Sequence, residues 1–190
     1  MGRAQVCASK SSYERTLRWR PTSSSSRVSK RGGARIQRAR VDLSALIELT
    51  AQGVAPEAEA RGTRLRCESK PNLEIEGEHS RLAQVLLAVF CHALRAADTS
   101  EPITGRVHEA EGWATLKLAF TRRSNADDRA EEVFDWMCAG DVGLLSERLA
   151  LSLARANAAL HGGSLCHSTS SGAGAALVLR FPLVPTNRTA

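Results

Sequence analysis

The sequence predicts a two-layer α/β sandwich, with short strands pooled into a sheet and helices on one face. Three observations carry that prediction. Leu82, Val85, Leu86, Val89, Phe90, Ala93 and Leu94 recur at helical spacing and mark an amphipathic helix. Leu73, Ile75 and Gly77 alternate with Glu74, Glu76 and Glu78, the pattern of a strand with one buried and one wet face. The remaining apolar runs are short and bounded by turn residues, as strands are.

Along the chain, Val41-Asp42-Leu43 opens a first helix, with Asp42 as N-cap and Leu43, Leu46, Ile47 and Leu49 near one face. Pro56 and Gly62 punctuate its later part. Strands over 63–69 and 73–77 flank the turn signal Lys70-Pro71-Asn72. The strongly periodic helix follows, with Ser80 placed to cap it, and then strands at about 103–108 and 113–121. A polar stretch runs from Arg122 to about Gly143. The last helix, about 146–161, is expected to turn Leu149, Leu153, Ala156 and Leu160 inward and to end at Gly162-Gly163, a glycine C-cap signal. Strands at about 164–169 and 174–183 complete the order αββαββαββ.

Charge divides the 190 residues into two parts. Residues 1–40 hold eleven Lys/Arg against the single acid Glu14, whereas residues 41–190 net −4. The first part also carries Ser23-Ser24-Ser25-Ser26 and few large apolar residues, so it is read as a disordered basic arm. A folded domain is expected over 41–183 and a short tail over 184–190. Such an arm offers a contact to nucleic acid or to an anionic membrane surface, although a solvated linker explains it as well. No apolar run reaches the roughly 18 residues of a membrane span, and no signal-peptide core stands at the N-terminus. Five cysteines without paired spacing fit reduced thiols and a cytoplasmic setting. Cys91-His92 and Cys166-His167 are ligand types in adjacent positions without a partner pair, so no metal site is expected.

Two stretches within residues 41–183 stand out: Gly77-Glu78-His79-Ser80-Arg81-Leu82-Ala83-Gln84-Val85-Leu86, and the helix closing on His161-Gly162-Gly163 before a small-residue hairpin turn. Together they resemble the ATP-binding domain of sensor histidine kinases, the first being similar to the family's Gly-Asp-x-x-Arg-Leu-x-Gln-Val-Leu and the second to the domain's end. The fold implied is the Bergerat type, an α+β sandwich whose mixed, mostly antiparallel sheet carries about three helices on one face. Within the resemblance, the nucleotide-contacting positions differ. The asparagine-bearing helix reads Ala88-Val89-Phe90-Cys91-His92-Ala93-Leu94-Arg95, with His92 where the family holds its magnesium through asparagine. Imidazole is a poor ligand for that hard cation. His92 is then either a phosphate donor or, more simply, a partly exposed helix histidine. Phe120 stands at the adenine-accepting aspartate, and Arg122 and Ser124 stand at the two following glycines. Val133-Phe134-Asp135-Trp136-Met137 resembles the box that leads into the lid, while Asp127 and Asp128 read as loop charges. Ser146, Arg148 and Ala150 occupy the glycine positions of the phosphate loop, where Glu147 would repel phosphates. The degenerate pocket is therefore Ala88, His92, Arg95, Phe120, Arg122, Ser146, Arg148 and Ala150, with no catalytic residue.

The resemblance implies a histidine-kinase-like module without cofactor that has lost ATP binding. It would act as a regulatory or protein-binding component of two-component signalling, with a sensor kinase or response regulator as partner and homo-oligomerisation left open. With no histidine in residues 1–40, autophosphorylation in cis is not expected. The alternatives are a divergent kinase or ATPase that binds ATP with Mg, and a nucleic-acid-associated protein working through its arm.

Overall fold

The computed structural model describes residues 37–123, 142–169 and 174–185, with the backbone alone for 142–145. Most of the basic arm, the polar stretch from Asn125 through Asp141 with its Asp127, Asp128 and Val133–Met137 features, Ser124, and the tail end lie outside the described residues.

The elements run β1 (Ala39–Asp42), α1 (Leu43–Ala60), β2 (Leu65–Glu68), β3 (Glu74–Gly77), α2 (His79–Ala96), β4 (Ile103–Ala110), β5 (Trp113–Thr121), α3 (Val142–Leu160), β6 (Ser164–Thr169) and β7 (Gly174–Pro182). Five strands form a sheet in the order β2-β4-β5-β7-β6. Only the β2–β4 pair is parallel. The expected α+β sandwich, with its mixed, mostly antiparallel sheet and three helices, is what forms. Beside it, β1 and β3 make an antiparallel ribbon in which Val41 faces Ile75.

β1 was not expected, and the chain does not pass straight into a helix at Val41. Four residues with Val41 alone buried give no usable alternation. Asp42 caps α1 as expected, its Oδ1 accepting the Ala45 N–H at 3.1 Å. Pro56 lies inside α1 without ending it, and both α1 and α3 stop at left-handed glycines. Gly62 (φ +72) and Gly162 (φ +75) donate to Glu59 and Ala159, and the following N–H groups of Thr63 and Gly163 reach back to Ala58 and Ala158. These paired bonds satisfy carbonyls that a helix end leaves without partners.

The core lies between helices and sheet. Ala114, Leu116, Leu118 and Phe120 of β5 and Ala175, Leu177, Leu179 and Phe181 of β7 meet the full α2 stripe, every member of which is buried. Two expected faces are corrected. Leu49 is 63% exposed, on the outside of α1. In α3 the expected inward row is the outward one: Leu149, Leu153 and Leu160 are 42%, 56% and 50% exposed, and Ala156 is exposed too. The residues turned inward are Arg148, Leu151, Ala154 and Ala158. α3 also starts at Val142, earlier than the expected 146.

Candidate functional site

The two most specific sequence motifs meet in space. His161, 2% exposed, donates from Nδ1 to the Asn157 carbonyl at 2.7 Å. Its Nε2 accepts the backbone N–H of Glu78 at 3.1 Å. A carbonyl can only accept and a backbone N–H can only donate, so the ring is held as its Nδ1–H tautomer. Gly77 provides the room, since a Cβ there would come within 2.6 Å of Leu82 and 2.7 Å of His161. Arg81 bridges the same elements, from Glu78 Oε2 (3.0 Å) to Asn157 Oδ1 (3.3 Å). Phe181 of β7 meets the imidazole edge-on at 6.5 Å. This joint fastens β3, α2, α3 and β7 together and carries no open chemistry.

Glu78, not Ser80, is the N-cap residue of α2, and Ser80 Oγ donates to its carboxylate at 2.9 Å. That bond is the largest influence and, with a second from Arg81, holds the Glu78 carboxyl below the usual glutamate range in spite of desolvation, which acts the other way. A depressed folded pKa contributes stability above the unfolded value of about 4.3 and loses it as pH falls through the folded value. Glu78→Gln is therefore expected to flatten the acid limb of stability, read from urea midpoints between pH 6 and pH 3. An unchanged acid limb would mean that the carboxylate is not held there.

On the other side of α2, His92 is 6% exposed and its Nδ1 lies 2.5 Å from Glu147 Oε1 on α3. Phe120 of β5 stands edge-on at 6.3 Å and His167 of β6 at 6.0 Å. Four elements thus converge on one imidazole. Arg148, the residue after Glu147, is itself buried at 7%. At the end of β5, Arg122 bridges Ala97, and the Arg123 N–H and Nε bond the carbonyls of Ala96 and Ala97. Among the described residues, no three His, Cys, Asp or Glu side chains gather as a metal site. No described helix is long and apolar enough to cross a membrane.

No protein-family model matches the chain, and no curated protein matches it. Solved structures do. Full-length ShkA in complex with AMPPNP aligns with a TM-score of 0.68 at 21% identity, over 82% of this chain and 33% of that one. The nucleotide-free catalytic domain of the histidine kinase ThkA gives 0.66 at 16%, over 78% and 96%. The mycobacterial sensor histidine kinase MprB gives 0.65 at 18%, over 78% and 99%. This chain has the histidine-kinase-type ATPase fold. It spans a third of full-length ShkA and nearly all of the ThkA catalytic domain.

Within that fold, the expected pocket positions fall into two groups. His92, Phe120 and Arg148 are buried, the first two with their rings edge to face; Ala88 and Arg122 are half-buried. Arg95, Ser146 and Ala150 are exposed. His92 is accordingly not the partly exposed histidine expected from the helix pattern. The sequence reading missed Glu147 as its partner, noted His167 only as a ligand type beside Cys166, and missed Asn157 altogether. A buried histidine needs a polar partner, but the sequence offered no way to choose Glu147, 55 residues away.

Proposed function

We propose that this chain is a histidine-kinase-type ATPase module that has given up productive nucleotide binding and works as a regulatory, protein-binding component of two-component-type signalling. A sensor kinase or a response regulator in the cytoplasm is the partner that this reading supplies. The observation that carries it is the course of α3. Because the helix begins at Val142, the backbone N–H groups of Ser146, Arg148 and Ala150 are committed to carbonyls one turn earlier. A glycine-rich loop would instead turn such groups toward phosphate. Glu147 adds a carboxylate to the same turn, tethered to the imidazole that the resemblance sets where the family's magnesium-holding asparagine stands. Phe120, 5% exposed, offers no acceptor for an adenine amino group.

Each charge-assisted hydrogen bond contributes about 1.5–3 kcal/mol. Losing two of them weakens binding by roughly two to four decades. Calorimetry is therefore expected to give no saturable signal with millimolar ATP and magnesium, and thermal unfolding no shift. Micromolar binding that disappears on His92→Ala would replace this reading with that of a divergent ATP-binding enzyme.

A further inference from the structure

Three of the five large apolar side chains that the described fold exposes lie on one helix, and in one row. Leu149, Leu153 and Leu160 of α3, with exposed Ala156 between them, are spaced four, three and four residues apart. That is the alternating spacing of a coiled-coil seam, about 17 Å long at 1.5 Å per residue. The flanks are as informative as the row. Ala150 and Asn157 stand on one side, Ser152 and Ala159 on the other. All four are uncharged and most are small, so a second helix can approach closely and no charge at these positions selects an unlike partner.

We infer that this seam pairs with the same seam of a second copy of the chain, α3 against α3 in antiparallel orientation. An antiparallel match sets Leu149 opposite Leu160 of the other copy and Leu153 opposite Ala156, so every layer contains a leucine. A parallel match would set Ala156 against Ala156 and leave a hole at the centre of the interface, which is costly. The two-fold arrangement is isologous, with each copy presenting the same patch. Identical copies meeting here bring no like charges together within the seam. A standard interface buries about 800 Å² on each partner, more than three half-exposed leucines supply, so the pair is expected to be a weak one. The inference is independent of nucleotide binding, so either reading can fail alone.

The test is sedimentation of the full chain under reducing conditions from about 1 to 100 µM, the range in which a weak pair assembles. The expected result is a dimer of the 20.4 kDa chain. Leu153→Glu is expected to weaken it by roughly 100-fold, since an unpaired carboxylate would lose its water at the interface centre. Leu49→Glu, a change at an equally exposed leucine on α1, is the control and leaves assembly unchanged. Both sites are exposed, and circular dichroism checks that each variant folds. On a Cys166→Ser background, chains carrying Leu153→Cys are expected to form a mixed disulfide with chains carrying Ala156→Cys. A monomer throughout the range, or a dimer indifferent to Leu153→Glu, would overturn the inference. Efficient self-linking of Ala156→Cys chains in place of the mixed disulfide would overturn the antiparallel arrangement.

Discussion

Gly163→Ala is expected to destabilise the fold by about 3 kcal/mol or more, whereas Gly53→Ala stabilises it by about 0.5–1 kcal/mol. The substitution is the same and the sign is opposite, because the surroundings differ. A Cβ at Gly163 would overlap the Arg180 carbonyl oxygen of β7 and lie 2.6 Å from the Phe181 ring. A backbone carbonyl within a paired strand cannot step aside as a flexible side chain can, so the strand, the ring or the end of α3 must shift. Those are the parts that hold His161 in its joint with Glu78. At Gly53, inside α1, a Cβ meets nothing within 4 Å, and the gain is the lower backbone entropy of the unfolded chain. Urea titrations at one pH measure both. A Gly163→Ala midpoint within about 0.5 kcal/mol of the parent would show that β7 yields at that point.

The same joint explains which parts of the molecule were legible in the sequence. Gly77, Arg81 and His161-Gly162-Gly163 stood out as motifs, and all of them work by packing and hydrogen bonding across elements. The α2 stripe was legible for a simpler reason: its seven apolar positions are all core, so periodicity and burial agree. Helix α3 misled because leucines were assigned to the interior by residue type. Its inward row instead includes Ala154 and Ala158, small residues that let a helix lie close to the sheet, while leucines occupy the outside. Hydrophobicity alone cannot distinguish a core stripe from an exposed seam when a helix carries both. At the candidate site, the altered residue types were readable one by one. Their geometry was not, since the loop-or-helix state of residues 146–150 and the His92–Glu147 pairing depend on where α3 begins and what it packs against.

His92→Ala is expected to cost about 2–4 kcal/mol, and the reason lies mostly with the residue left behind. Removing the imidazole strips Glu147 of its donor in a place where that side chain is 18% exposed, too little for water to replace the bond fully. Phe120 and His167 lose their shared ring neighbour at the same time, leaving a gap among α2, β5 and β6. Glu147→Ala should cost less, because it leaves an imidazole rather than a carboxylate without its partner, and a buried unpaired carboxylate is the costlier of the two. The double variant should then recover part of the summed loss, with a coupling energy of about 1–2 kcal/mol in a double-mutant cycle. Coupling below about 0.5 kcal/mol would mean that the pair does not join the two helices. Breaking the pair is not expected to create a nucleotide site. The N–H groups of Ser146, Arg148 and Ala150 stay committed to the helix, and Phe120 still offers no acceptor. His92→Ala should therefore remain silent in calorimetry with Mg-ATP while its unfolding midpoint falls, which separates the stabilising role of His92 from any role in binding.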